Sequence, residues 1–228
     1  MLFVFSTASV LNRFVTGKIY VLQMLTLISM KIVGVVLASG YSTRLGLDKL
    51  TQELCGKTVI RRVVNDLIDT GLDLIYIVTR AGNQMDSSLL KPGILVILNK
   101  HSKEGMSSSI KVALANIAPD VDAVLITNGD MPFFGSENYR KLIADWRDEG
   151  SGIVSSSLHG IPRNPVIFSK EYFPDLMEIT GDAGGREIVM KNKSRVKFVH
   201  IENETCFLDI DTREDLDLAR KICEEFTV

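Results

Sequence analysis

From residue 32 onward, short apolar runs alternate with segments of helical periodicity, and this alternation restricts the fold more than any other feature. The apolar runs are rich in Val, Ile and Leu, as expected of strands buried on both faces. Strands are predicted at residues 32–38, 74–79, 94–98, 123–127, 153–155, 165–168 and 196–201, and helices at 59–68, 107–117, 136–147 and 213–225. The pattern predicts an α/β fold, a three-layer α/β/α sandwich around a Rossmann-like, mostly parallel sheet.

The length and the charge balance limit the classes of protein. A chain of 228 residues is long enough for one sizeable core, and we expect a single domain over residues 30–228. The 26 basic and 28 acidic residues give a formal net charge of -2. A nucleic-acid partner is not expected, because the chain lacks the overall positive charge that such binding uses.

Residues 1–29 are apolar but are interrupted by Asn12, Arg13 and Lys18. They therefore lack the roughly 20 consecutive apolar residues of a membrane-spanning helix. They also lack the basic residues that precede the apolar core of a signal peptide. We expect residues 1–29 to be a non-native or disordered extension, with Met30 as the natural initiator, in a cytoplasmic protein without a membrane partner.

Cys55, Cys206 and Cys223 are odd in number and widely spaced. This spacing predicts neither a structural zinc site nor a disulfide framework, and it favours a reducing, cytoplasmic compartment. We interpret Cys55 and Cys206 as small packing residues rather than nucleophiles, because no histidine pattern supports a thiolate.

The loop after the first predicted strand carries cations between glycines. Arg44 lies between Gly40 and Gly46, and Lys49 follows, in a pattern that matches neither a P-loop nor the G-x-G-x-x-G fingerprint. The alternative is a solvated connection. The loop is longer than the usual two to about six residues of such connections, and ligands of open α/β sheets bind beyond the carboxyl ends of the strands. Both points favour a loop that binds a triphosphate.

Carboxylates follow two later strands. Asp130 comes directly after the strand at 123–127 and can hold Mg²⁺ or serve as a turn residue. Asp209 and Asp211 lie on the same side if the chain is extended there. Thr212 with Asp215 resembles a helix start, so we give Asp211 a structural, capping role. We assign Asp209 to Mg²⁺ with Asp130, and a site with Asp130 as its single carboxylate is the alternative.

Two further segments allow two interpretations each. Ser107 and Ser108 open a predicted helix and can cap it or contact a ribose or base. Glycines before Arg186 form either a turn or a cationic entrance suited to a phosphate, and Asn164 before a proline can be a plain turn residue.

Six segments together resemble the molybdenum cofactor nucleotidyltransferases, within the superfamily that includes the sugar-phosphate enzymes. They cover the chain in order from residue 31 to about 218 and read LASGYSTRLGLDKL, GMSSSI, GDMP, IPRNPVIF, TGDAGGREIV and DIDTREDL. Ser39 stands where that family commonly has Ala or Gly, at a position linked to the choice between CTP and GTP. Arg213 replaces the usual proline.

The resemblance implies a fold of the nucleotide-diphospho-sugar transferase type and a division of roles. The implied catalytic residues are Lys49, Arg44 and Asp130, and the implied Mg²⁺ ligands are Asp130 and Asp209. The implied nucleotide-binding residues are Leu37, Ala38, Ser39, Gly40, Arg44, Lys49, Ser107 and Ser108. The implied acceptor-binding residues are Asn164, Asp182, Gly184 and Arg186.

The resemblance further implies transfer of CMP from CTP to the phosphate of molybdopterin, with release of pyrophosphate and possible partners in a recipient molybdoenzyme or its chaperone. The alternatives are GTP as the donor, or another nucleoside triphosphate with a sugar phosphate as the acceptor. A nucleotide-binding regulatory module without turnover is an alternative from a different class. The presence of both Lys49 and Asp130 argues against it.

Overall fold

The computed structural model describes residues 30–42, 44–150 and 152–225. Its main feature is a seven-stranded sheet, and a separate two-stranded hairpin lies beside it. The strands are β1 Ile32–Ala38, β2 Glu53–Leu54, β3 Lys57–Thr58, β4 Ile75–Arg80, β5 Ile94–Asn99, β6 Ala123–Asn128, β7 Ile153–Leu158, β8 Ile161–Ser169 and β9 Val196–His200.

Helices cover both faces of the sheet and complete three layers. They are α1 Val59–Ile68, α2 Met106–Asn116, α3 Ser136–Glu149, α4 Phe173–Glu178, α5 Arg186–Lys191 and α6 Arg213–Glu225. Helix α1 packs on β1, β4 and α3, whereas α2 packs on β1, β4, β5 and α4. The predicted three-layer α/β/α sandwich is confirmed.

The strand order is β5-β4-β1-β6-β8-β7-β9. Strands β5, β4, β1 and β6 are mutually parallel, and β7 is parallel to β9. Strand β8 runs antiparallel to both of its neighbours. The chain leaves β1 toward β4 and β5 and then returns to β6 on the other side. The carboxyl ends of β1 and β6 therefore flank the point where such sheets bind ligands.

Strand β1 is buried on both faces, as its continuous apolar sequence predicts. Val33 and Val35 belong to an apolar cluster with Ile110 of α2. On the opposite face, Gly34 has no side chain, and a Cβ atom there would contact Leu67 of α1. This close approach seats α1 directly on the centre of the sheet.

The predicted bounds of β1, α1 and α6 match the structure, and the other predicted elements shift by a few residues. The β2–β3 hairpin, α4, α5 and the length of β8 were not predicted from the sequence. The expectation about residues 1–29 lies outside the described residues. In the part of the chain that is described, no helix combines the length and apolar character needed to cross a membrane.

The prediction that Cys55 is a packing residue in a chain without disulfides is wrong. Cys55, in the turn between β2 and β3, forms a disulfide with Cys223 of α6. The two residues are 168 positions apart, so their spacing in the sequence gave no indication of the pair. Cys206 is free and buried, in agreement with a packing role. The disulfide removes the argument for a reducing compartment that rested on the cysteines.

Because of this disulfide, we expect the protein to be more stable to unfolding when it is oxidised than when it is reduced. Cys55 is exposed, so Cys55→Ser removes the cross-link with little loss of packing. We expect it to lower the free energy of unfolding by about 2–4 kcal/mol, because a cross-link over a long loop restricts the unfolded chain. Urea unfolding with and without dithiothreitol measures this.

Under dithiothreitol the wild-type protein and the Cys55→Ser variant should unfold at the same urea concentration. A wild-type midpoint that is unchanged by the reductant would contradict the prediction.

Candidate functional site

Two adjoining cavities lie beyond the carboxyl ends of the central strands. The larger has a volume of about 510 Å³ and is lined by the loop after β1, the start of α2 and the acidic segments. The smaller, of about 180 Å³, lies between the β6, β7 and β8 region and α5. Asn128 and Asp209 line both cavities, so the two are neighbouring compartments that share these wall residues.

Lys49 lines the larger cavity and is 8% exposed. It begins the short 3-10 helix Lys49–Thr51, which Asp48 caps by accepting a hydrogen bond from the Leu50 amide. Its Nζ atom forms an ion pair with Asp130 and lies 2.6 Å from Oδ1 of Asp211. The structure thus brings the predicted cation of the first loop onto the predicted carboxylate after β6.

The two carboxylates keep Lys49 charged. Burial alone lowers the pKa of this lysine, but the charges and hydrogen bonds of Asp130 and Asp211 outweigh burial and raise the pKa above its ordinary value. Lys49 is therefore a cation throughout the physiological pH range. It can transfer its hydrogen bonds from carboxylate to phosphate oxygens without a change of protonation.

The acidic segments are fixed to each other through the backbone. The amide of Ile210 donates to the carbonyl oxygen of Asp130 at 3.0 Å, which sets the register between the two segments. Burial and the charges of Asp130 and Asp211 raise the pKa of Asp209 to about 7. Solvent reaches Asp209, and Asp130 and Asp211 are its negatively charged neighbours. The three carboxylates thus face a common space.

One oxygen in this space has no hydrogen-bond partner. Oδ1 of Asp130 is buried and unpaired, which is costly for a carboxylate oxygen unless a ligand satisfies it. Together with Asp209 it fits a divalent cation that takes few protein ligands, as Mg²⁺ does. Within the described ranges, no three His, Cys, Asp or Glu side chains form a complete metal cage.

Asp211 does not have the capping role predicted for it. The start of α6 is capped reciprocally by Thr212 and Asp215, since the Asp215 carboxylate accepts from the Thr212 amide and Thr212 Oγ1 accepts from the Asp215 amide. The Asp211 carboxylate instead pairs with Lys49 and lies 3.5 Å from Nη1 of Arg44. Sequence reasoning missed this because the cap motif explained the segment without it.

The backbone of the first loop is held from the neighbouring strand ends. Nε of Arg80 donates to the Gly40 carbonyl, and Nδ2 of Asn83 donates to the Ala38 carbonyl. The Gly129 amide donates to the carbonyl of Leu37. The Arg44 side chain is 75% exposed. Leu37, Ala38, Ser39, Gly40, Arg44 and Lys49 all line the larger cavity.

The end of this cavity away from Lys49 is polar and preorganised. Ser39 Oγ lies 2.5 Å from Ser109 Oγ, and Asn99 Nδ2 donates to the hydroxyls of both Ser108 and Ser109. Ser109 lines the cavity, whereas Ser107 and Ser108 are buried outside its lining. A serine of this run therefore reaches the site, but it lies one position beyond the predicted pair.

The predicted acceptor residues divide between the compartments. Asn164 and Arg186 line the smaller cavity, as does Arg163, which the sequence analysis missed. Asp182 lines the larger cavity instead. Gly184 lines neither, and a Cβ atom there would lie 3.0 Å from Sδ of Met106, so its small size serves close packing.

Asn128 connects the two compartments. Its Oδ1 atom accepts a hydrogen bond from Asn164 Nδ2 at 3.3 Å, and its side chain donates to Asp209. This residue directly precedes the Gly-Asp pair at the end of β6, so its position at a strand end was the available signal. Asn128 fixes Asp209 relative to the smaller cavity.

Curated relatives cover different shares of the chain. The chain is 36% identical over 104 residues to a 3-deoxy-manno-octulosonate cytidylyltransferase of Christiangramia forsetii, spanning 45% of this chain and only 41% of that protein. It is 26% identical to the purine catabolism protein PucB of Bacillus subtilis over 83% of this chain and 96% of the relative. A probable molybdenum cofactor guanylyltransferase of Natranaerobius thermophilus is 24% identical over 82% of this chain and 94% of its own length.

Solved structures share the fold. Rv0371c of Mycobacterium tuberculosis has a TM-score of 0.72 at 23% identity, covering 84% of this chain and 99% of that one. The CTP complex of a CMP:2-keto-3-deoxy-manno-octonic acid synthetase has a TM-score of 0.70 at 12% identity, covering 86% and 99%. Both structures share the arrangement of sheet and helices seen in this chain. A family model described as the MobA-like NTP transferase domain matches residues 34–196, and the chain therefore belongs to this family of nucleotidyltransferases.

Proposed function

We propose that the protein transfers CMP from CTP to the phosphate of molybdopterin and releases pyrophosphate, with Mg²⁺ bound at Asp130 and Asp209. The observation that carries the proposal is the contact of Lys49 with Asp130 and Asp211 in a cavity that shares Asn128 and Asp209 with a second compartment. The two compartments provide one place for a nucleotide and one for a phosphate-bearing acceptor.

The larger cavity is the proposed nucleotide compartment. Arg44 and the backbone around Gly40 hold the β- and γ-phosphates, since a guanidinium and converging amides suit phosphate oxygens. Arg44 is open to solvent and has only a long contact with Asp211. Arg44 can therefore bind an incoming triphosphate without breaking a strong ion pair.

Lys49 stabilises the negative charge that develops at the α-phosphate. In the ligand-free arrangement its charge is balanced by Asp130 and Asp211. The nucleotide phosphates replace these partners and leave Asp130 and Asp209 to hold the metal. Bound there, Mg²⁺ neutralises phosphate charge.

No general base is required, because the acceptor phosphate is already largely ionised near neutral pH. The chain contributes orientation and fixed charges, which are the main components of catalysis in phosphoryl-type transfers. Arg186 and Arg163 line the acceptor compartment and offer two cations to an anionic acceptor. Asn128, which lines both compartments, accepts a hydrogen bond from Asn164 of the acceptor compartment.

GTP as the donor is the first alternative, and the guanylyltransferase relative of N. thermophilus supports it. A sugar acid or sugar phosphate as the acceptor is the second, supported by the cytidylyltransferase relative of C. forsetii over less than half of that protein's length. The Gly-Met-Ser-Ser-Ser and Gly-Asp-Ala-Gly-Gly-Arg segments favour the cytidylyl reaction on molybdopterin. A molybdoenzyme or its chaperone is the proposed recipient of the product.

Pyrophosphate release measured with CTP, GTP, UTP and ATP tests the proposed reaction. We expect release with CTP and molybdopterin in Mg²⁺, and mass spectrometry should identify the cytosine dinucleotide. Equal turnover of sugar phosphates or a preference for GTP would replace the proposal by one of the alternatives. Tight nucleotide binding without pyrophosphate release for any acceptor would establish the regulatory module instead.

Replacement of the central cation should abolish most of the activity. We expect Lys49→Ala to lower kcat/KM by about 10²–10³-fold, the usual effect of losing one charge-stabilising donor. Lys91→Ala, which removes an exposed lysine outside both cavities, is the matched control and should retain wild-type activity. A Lys49→Ala enzyme that releases pyrophosphate at the wild-type rate would exclude the mechanism.

Replacement of either proposed metal ligand should weaken the binding of Mg²⁺ to the site. We expect Asp130→Asn and Asp209→Asn to raise the Mg²⁺ concentration for half-maximal nucleotide binding by about tenfold or more, since each removes one negative ligand. Exposed Asp148→Asn serves as the charge-matched control. Unchanged Mg²⁺ titrations for both ligand variants would place the metal elsewhere.

A further inference from the structure

Tyr41 is an aromatic side chain in the first loop that neither the phosphate chemistry nor the metal chemistry uses. It lines the larger cavity and is 43% exposed, in contrast to the mostly buried aromatic residues of the core. Exposure of an aromatic ring to water is energetically unfavourable. An exposed ring in a polar cavity is therefore a candidate for contact with a ligand.

The ring of Tyr41 is held in place from two directions. The guanidinium of Arg80 lies over the ring, with its central carbon 4.8 Å from the ring centroid. The Tyr41 hydroxyl lies 2.9 Å from Ser102 Oγ, across the cavity from the loop. Arg80 is itself fixed by the carbonyl oxygens of Gly40 and Ala81. The ring is therefore a preorganised surface rather than a mobile side chain.

The position of the ring within the cavity identifies what it can contact. Lys49 and the carboxylates occupy one end, which the proposed function assigns to the triphosphate. The remaining lining comes from the start of α2 and the segment before it, including Ser102, Met106 and Ser109. A nucleotide with its phosphates at Lys49 places its base toward this second end. Tyr41, which is bonded to Ser102, and Met106 are large side chains among these lining residues.

We propose that Tyr41 is a stacking platform for the nucleobase, held by Arg80 and by the bond to Ser102. This inference rests on the proposed nucleotide compartment and adds a base-binding residue to it. Stacking on an aromatic ring contributes to the binding of any base, because every base has a π-face. The cation of Arg80 behind the ring adds a cation–π contact that keeps the ring in this orientation.

Calorimetric titration of the full chain tests the proposal with two probes in Mg²⁺: CTP, which has a base, and inorganic tripolyphosphate, which has none. We expect Tyr41→Leu to weaken CTP binding on the order of tenfold, the effect of losing one base-stacking contact. Tripolyphosphate affinity should stay within about twofold of wild type, since the phosphate contacts made by Arg44, Lys49 and the loop amides remain.

Two further variants separate stacking from loop positioning. Tyr41→Phe keeps the ring and removes only the bond to Ser102, so CTP affinity should fall by about threefold at most. Leu90→Ala removes an exposed apolar side chain outside both cavities and should bind as the wild type does. Circular dichroism confirms that each variant is folded.

The outcomes distinguish this inference from the proposed function. Equal losses of CTP and tripolyphosphate affinity in Tyr41→Leu would show that the residue only positions the loop, and an unchanged CTP affinity would exclude stacking. A wild-type protein that binds CTP but releases no pyrophosphate with any acceptor would refute the transfer reaction and leave the stacking inference supported by its binding data. A wild-type protein that binds no nucleoside triphosphate would refute both.

Discussion

The ion pairs of Lys49 are the interaction on which the rest of the site depends. A buried ammonium group is stable only when nearby charges compensate its lost hydration. Asp130 comes from the end of β6, Asp211 from the segment before α6, and Lys49 from the loop after β1. The ion pairs of Lys49 thus connect three segments that are distant in the sequence. A magnesium-bound triphosphate offers the same balance of charges, with anions for the lysine and a cation for the carboxylates.

The sheet explains why these parts can meet. Strands β1 and β6 are parallel neighbours, so the residues that follow them emerge at the same edge. The bonds from Gly129 to Leu37 and from Ile210 to Asp130 then fix the acidic segments against the first loop. Reversal of β8 brings Asn164 beside Asn128 at the start of that strand's pairing with β6. The smaller cavity, the proposed acceptor compartment, is therefore a consequence of one antiparallel strand in an otherwise mostly parallel sheet.

The sequence predicted the parallel part of the fold and the meeting of Lys49 with Asp130. Buried strands have continuous apolar sequences, and residues that follow neighbouring parallel strands emerge at the same edge of the sheet. The two hairpins were missed, although each turn is a residue followed by glycine. Cys55 with Gly56, and His159 with Gly160, all have positive φ values, as two-residue hairpin turns require. Contacts that depend on those hairpins, including the Cys55–Cys223 disulfide and the setting of Arg163, could not be read from spacing.

The two ends of the larger cavity have different proposed roles, one in binding the triphosphate and the other in selecting the base. The phosphate end uses groups that any nucleoside triphosphate satisfies equally, because the triphosphate is common to all of them. Relatives named for cytidylyl transfer and for guanylyl transfer both resemble the chain, the first over 45% of its length and the second over 82%. Under the proposed function, selectivity among bases arises at the other end, where Ser39 bonds to Ser109 and Tyr41 bonds to Ser102. Both are polar bridges from the first loop to the region where α2 begins, so a substitution in either partner alters the space for the base without touching Lys49. The chemistry of transfer and the choice of nucleotide can thus change independently within this fold.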